Sequence, residues 1–209
     1  MAKQKRDAVS SKLNILTEAR MLFSKKGYDA TTMDDIAKVS GINKALIYYY
    51  FQNKSGLYGE IMSELFSEIH NEIIMQREHC SSLEDELEAF IKTYAVYAYN
   101  NPYFPALLLR ELSDSGAHLP ETMFTNMRKL FTLLSDILLR GEKAGIFNKS
   151  LPMVIHFMII GTLNLMFTTQ TLREKTMLLS ENIDTCANCS VEEISEYIFQ
   201  SIKKSLKVT

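Results

Sequence analysis

Tyr28–Phe51 reads YDATTMDDIAKVSGINKALIYYYF. Thr31 and Thr32 precede Asp34 and Asp35, so a threonine can cap a short helix while an acid three residues on caps back. Ile36 and Ala37 supply the buried face of that helix. Ser40-Gly41-Ile42 makes a turn, because Gly41 takes positive φ without a Cβ clash. Asn43 is a good N-cap for a second short helix, Lys44–Tyr50. Helix, glycine turn and helix form the layout whose second helix enters the major groove of DNA.

The flanks keep the same period. Upstream, Ile15, Ala19, Leu22 and Phe23 make one apolar stripe, ended by Lys25-Lys26-Gly27. Downstream, Leu57, Ile61, Leu65, Ile69 and Ile73 recur every fourth residue and predict a long helix from Lys54 to about His79. Further helices are expected at Leu83–Asn100, about Pro105–Ser113, Glu121–Lys143 and Pro152–Glu174, then a loop over Lys175–Ser190. Ser190 and Glu193 form a capping-box pair that opens a last helix to about Leu206. The expected fold is all-α with about nine helices. A three-helix DNA-binding domain (1–53) precedes a helical domain (54–209).

Composition sets limits on function. The 209 residues are 46% hydrophobic and 23% charged, with a formal net charge of −2. Residues 1–56 hold ten Lys/Arg against five Asp/Glu, a formal +5 that leaves −7 for the rest. A basic head on an acidic body suits a protein that meets phosphates at one end. The start, Met1–Lys12, is polar and basic, unlike a secretory signal. The most apolar stretch, Met153–Phe167, is shorter than a bilayer span and interrupted by polar residues. A cytoplasmic location without a membrane partner is expected. No P-loop, GxSxG, HExxH or GxGxxG motif is present, so neither catalysis nor a cofactor is expected. Cys186-Ala187-Asn188-Cys189 lacks the second pair or nearby His of a zinc site and reads as two incidental loop cysteines. A redox-responsive regulator working through Cys186 and Cys189 stays as an alternative.

Residues 12–61, with GYDATT, IAKVSGI, YYYF and the Lys54–Leu57 helix start, resemble the DNA-binding domain of the TetR/AcrR family of bacterial repressors. The resemblance implies that Thr32 caps its helix and touches a phosphate. It places Lys44 and Ala45 at bases or phosphates, Tyr48 and Tyr49 on the DNA, and Lys54 on a phosphate. The basic arm Lys3, Lys5 and Arg6 is either a backbone-following segment or a solvated tail. Where the family has an acid two positions after that lysine, this chain has Gly56, then Gly59. A softened hinge and a weakened cap on Asn53 are the expectations there.

The resemblance also implies a body that binds a small apolar or aromatic effector and dimerises. Candidate effector residues are Tyr94, Tyr97, Tyr103, Phe104, Met123, Phe124, Met127, Phe131, His156, Phe157 and Met158, with Arg110, Glu111 and Asn164 as polar neighbours. Dimerisation is expected through the helices near 152–174 and 191–206, with Ile160, Gly161, Leu163 and Leu165 on the first and Ile194, Ile198 and Ile202 on the second. Repression of a palindromic operator follows, relieved by the effector. The competing reading is an effector-independent DNA-binding protein.

Overall fold

A computed structural model describes residues 2–177, 186 and 188–207. Ten helices run in order: α1 (Ala2–Lys26), α2 (Met33–Ser40), α3 (Lys44–Phe51), α4 (Lys54–Arg77), α5 (Leu83–Asn100), α6 (Tyr103–Ser113), α7 (Glu121–Lys143), α8 (Pro152–Thr168), α9 (Gln170–Met177) and α10 (Val191–Leu206). Among the described residues there is no strand, only an isolated bridge between Phe147 and Lys207.

Two boundaries differ from expectation. α1 begins at Ala2, well before the helix from Lys12 to Lys26 that its apolar stripe predicts, because Ala, Lys, Gln and Arg at its start are strong helix formers. The expected helix to Glu174 is instead two, α8 and α9, bent by 66°. The Thr168 and Thr169 hydroxyls donate to the carbonyls of Asn164 (2.6 Å) and Leu165 (2.5 Å), and Arg173 donates to Met166 O. Side chains that bond to nearby carbonyls compete with the helix ladder and bend it. No single described helix is long and apolar enough to cross a membrane.

The chain forms two compact units. The first comprises residues 1–65 and 106–126. Its core holds Ile15, Ala19, Phe23, Ile36, Ile47, Leu57, Tyr58 and Ile61, so the stripe on α1 meets α2 and α3 as its period requires. Asn14 Nδ2 ties α1 to the end of α2 by donating to Ser40 O (2.8 Å). Arg20 and Lys12 pair with Glu64 and Glu60 on α4 at 2.7 and 2.5 Å.

The second unit comprises residues 66–105 and 127–209. Here α5 packs on α8 and α10, burying Leu87, Phe90, Ile91, Ile159, Leu163, Ile194, Ile198 and Ile202. The three α10 isoleucines expected at a dimer surface are therefore core of this unit, and so are Ile160 and Leu163 of α8. A helix stripe facing apolar material within its own chain has the same period as one facing a partner. Glu86 joins Arg77 (2.7 Å) and Arg140, and Asp136 joins the same two arginines at 2.7 and 3.0 Å.

Candidate nucleic-acid interface

The two short helices are held by local chemistry. Thr32 Oγ1 accepts from Asp35 N (3.1 Å), while Asp35 accepts from Thr32 N (3.1 Å), a complete capping box. These bonds hold the Asp35 carboxyl below its usual range. Thr31 is buried and donates to Gly27 O (2.7 Å). Gly41 takes φ 68° at the turn, and Asn43 Oδ1 accepts from Ala45 N (2.8 Å) to cap α3.

On α3, Ile47 and Phe51 are buried. Ala45, Tyr48 and Tyr49 are exposed and lie at i, i+3 and i+4, on one face. Tyr48 is 41% and Tyr49 79% exposed, so neither serves chiefly as core. Tyr50 instead turns back, its hydroxyl donating to Ala8 O (3.3 Å). Lys44 Nζ pairs with Asp34 at 2.7 Å, which raises its pKa. The side chains of Lys3, Lys5 and Arg6 lie outside the described residues.

Lys54 has a role the sequence did not suggest. Its Nζ donates to the carbonyls of Tyr28 (3.0 Å) and Thr31 (3.1 Å), with Asp29 O at 3.4 Å. It also sits 4.1 Å from the Tyr28 ring centroid. The lysine thus clamps the α1–α2 turn beside the Thr32 cap. No sequence signal marks it, since the acceptors are backbone carbonyls.

The glycines at the start of α4 have a steric reason. A Cβ on Gly56 would lie 2.2 Å from Phe51 O, and one on Gly59 2.6 Å from Pro120 Cγ. Asn53 Oδ1 accepts from Gly56 N (2.8 Å), and Asn53 N donates to Phe51 O (2.7 Å). The donor that an acid at position 56 would cap is thereby satisfied.

The candidate effector residues fall into separate groups. In the second unit Phe104 is buried against Phe66, Tyr94 and Tyr97, with ring centroids 5.2, 5.9 and 5.5 Å away. The Tyr94 hydroxyl donates to Asn164 Oδ1 (3.2 Å), and burial raises its pKa. Tyr97 donates to Glu68 (2.8 Å). The His156 ring meets the rings of Phe131 and Phe157 edge-on at 5.6 and 5.9 Å, and Met127 is half-buried. Tyr103, Phe157 and Met158 are exposed. Phe124, Arg110 and Glu111 belong to the first unit, where Phe124 lies beside Gly116. The Met123 side chain lies outside the described residues.

Burial pushes the His156 imidazole down to about 4. The unfolded chain then takes up a proton below about 6.5 that the folded chain refuses until about 4. Stability should accordingly fall as pH drops through that window, by about 2–3 kcal/mol. Thermal melting at pH 7 and pH 4.5 checks this: His156→Gln should lose less stability than the parent over that step, and an equal loss would contradict it.

Cys186 and Cys189, read from the sequence as two incidental loop cysteines, form a disulfide. Most of the expected loop before them, residues 178–185, lies outside the described residues. Cys80 is a free, half-buried thiol whose pKa burial raises.

A family model described as bacterial regulatory proteins, tetR family, matches residues 15–61. A second, described as tetracyclin repressor-like, C-terminal domain, matches residues 84–202. The chain is similar to the probable HTH-type transcriptional regulator YttP of Bacillus subtilis (strain 168), 29% identical over 137 residues that cover 65% of this chain and 66% of YttP. It is also similar to IcaR of Staphylococcus aureus (strain Newman), the biofilm operon icaADBC HTH-type negative transcriptional regulator. That match is 40% identical over 77 residues, 37% of this chain and 41% of IcaR. These matches span less than two thirds of either relative's length. The fold is similar to that of FadR from Bacillus subtilis, solved in complex with stearoyl-CoA. The TM-score is 0.73 at 18% identity, covering 93% of this chain and 98% of FadR.

Proposed function

This chain belongs to the TetR family of bacterial regulatory proteins, DNA-binding transcription regulators rather than enzymes, and we propose that it is a ligand-responsive repressor. It binds a palindromic operator as a dimer, and a small apolar or aromatic effector releases it. Residues 1–53 read the DNA, and residues 54–209 sense the effector and dimerise. The observation that carries the reading is the exposed Ala45, Tyr48 and Tyr49 face on a doubly capped helix pair. Tyrosines there offer hydroxyls to base edges and ring edges to thymine methyls. Lys44 and the N-terminus of α4 meet phosphates. That IcaR is a negative regulator supports repression, and the stearoyl-CoA bound by FadR supports an effector with a long apolar part. Selection of bound fragments from genomic DNA with the purified protein tests the function. Recovery of a palindrome is expected; no enrichment over random fragments refutes sequence-specific regulation.

For the dimer, α8 presents Val154, Phe157, Met158 and Leu165 outward, a stripe at i, i+3, i+4 and i+11 with Gly161 within it. On α10 the outward aromatic is Tyr197, 77% exposed. Replacing Phe157 and Leu165 by glutamate should yield a folded monomer in sedimentation at micromolar concentration. A persistent dimer would move the interface elsewhere.

The disulfide favours a second reading, redox control through Cys186 and Cys189. If it holds, oxidant shifts operator affinity in the parent and not in the Cys186→Ser/Cys189→Ser variant.

A further inference from the structure

Within the first unit, a cavity of about 300 Å³ is lined by Tyr28, Asp29, Tyr58, Glu111, Asp114 and His118, among others. One donor atom each from Asp29, Asp114 and His118 lies within 4.8 Å of the others. His118 Nε2 is 3.5 Å from Asp29 Oδ1, and Nδ1 is 3.3 Å from Asp114 Oδ2 and 3.4 Å from Glu111 Oε1. The imidazole is stacked on Tyr28 with ring centroids 4.2 Å apart, which fixes its plane.

Behind the imidazole stands a buried carboxylate with an unpaired oxygen. Glu111 is only 3% exposed. Its Oε1 accepts from the Tyr58 hydroxyl (2.7 Å), while its Oε2 is buried without a hydrogen-bond partner. A buried carboxylate oxygen left unpaired is costly. The cations at the cavity are engaged elsewhere: Lys26 lies 3.5 Å from Asp35, and Arg110 donates to Lys25 O (3.3 Å). Three carboxylates therefore converge on one imidazole.

We propose that Asp29, Asp114 and His118 bind a divalent transition-metal ion, with Glu111 positioning the imidazole. Glu111 Oε1 stands 3.4 Å and Asp114 Oδ2 3.3 Å from Nδ1. The buried Glu111 is the fixed acceptor for the Nδ1 proton, which leaves Nε2, with Asp29 at 3.5 Å, as the metal-bearing nitrogen. A carboxylate behind a ligating histidine is the common means of setting that tautomer. Ligands at about 2.1 Å around a tetrahedral ion stand about 3.4 Å apart, close to the 3.5 Å between Asp29 Oδ1 and Nε2, while Asp114 Oδ2 now stands beside Nδ1 and must swing to the Nε2 edge. Asp29 and Asp114 are exposed and free to close the remaining distance. One nitrogen among oxygens favours zinc, cobalt, nickel or manganese over magnesium or calcium. The ion ties the Tyr28–Thr31 turn, which Lys54 clamps, to the segment joining α6 and α7. The site does not depend on the repressor reading, and operator binding by the metal-free protein tests that reading separately.

The test is titration of chelator-treated, full-length protein with Co²⁺, followed by visible absorption and calorimetry, with Zn²⁺ as competitor and Mg²⁺ as control. About one equivalent per chain is expected. His118→Ala should weaken binding at least tenfold, and Glu111→Gln about tenfold with the cobalt spectrum shifted. A Cys80→Ser/Cys186→Ser/Cys189→Ser variant should bind as the parent does. Circular dichroism of each variant without metal establishes that it is folded. Any of three results overturns the site: no Co²⁺ binding below millimolar, unchanged affinity in folded His118→Ala, or loss of binding in the cysteine variant alone.

Discussion

Replacing Tyr48 and Tyr49 together by alanine is expected to weaken operator binding about a hundredfold while leaving the melting temperature within about 2 °C. The two expectations come from one fact, the exposure of both rings on the free face of α3. Two base-edge contacts at about 1–2 kcal/mol each give that affinity loss. Exposed side chains away from caps and core change stability by about 0.5 kcal/mol or less. The loss should be larger on the operator than on random duplex, with the salt slope unchanged, because tyrosine neutralises no phosphate. Lys44→Ala should do the opposite, weakening both duplexes alike and flattening the salt slope by about one. Equal losses on operator and random DNA for the tyrosine pair would remove them from base recognition. A large fall in melting temperature would make them packing residues.

The features legible in sequence are those whose partners lie within a few residues. Thr32 with Asp35, Asn43 with Ala45, and Ser190 with Glu193 are caps closed over two or three positions, so their chemistry is written locally. The long apolar periods on α4 and α10 likewise announce buried faces. They do not announce what covers them, and Ile194, Ile198 and Ile202 are covered within their own unit rather than by a second chain. The break at Thr169 was invisible for a different reason. Hydroxyls competing for Asn164 and Leu165 carbonyls leave no mark in an apolar pattern.

The least legible residues pair across long separations. Tyr58 and Glu111, and Asp29 and His118, meet only because the end of α6 and the segment after it pack with the N-terminal helices in one unit. The family resemblance implied a phosphate contact for Lys54, and the departure from its pattern implied a hinge at the glycines of α4. Three backbone carbonyls and the contacts at Phe51 O and Pro120 give both another physical reason. A turn whose conformation is held by Lys54 presents the Thr32 cap in a fixed place. In the proposed operator complex, a turn ordered before it meets DNA lowers the entropy cost of binding.

Phe104→Ala is expected to cost about 3–5 kcal/mol, lowering the melting temperature by about 10 °C in a chain of this length. Phe104 is completely buried and touches three aromatic rings, so truncation leaves a cavity the stiff rings fill poorly. The experiment also separates core from effector site among the aromatic residues of the second unit. If Phe104 is packed core, apolar compounds restore no more stability to the variant than benzene-sized filling allows, and operator binding by the folded fraction is unchanged. If it walls an effector site, the loss is smaller than about 2 kcal/mol, and the effector that releases the parent from its operator fails to release the variant. Phe131→Ala provides the comparison. Phe131 is only half-buried beside His156, so it should cost less stability than Phe104. Were Phe104→Ala the milder of the two, the cluster around Tyr94 and Tyr97 would be the better place to look for the effector.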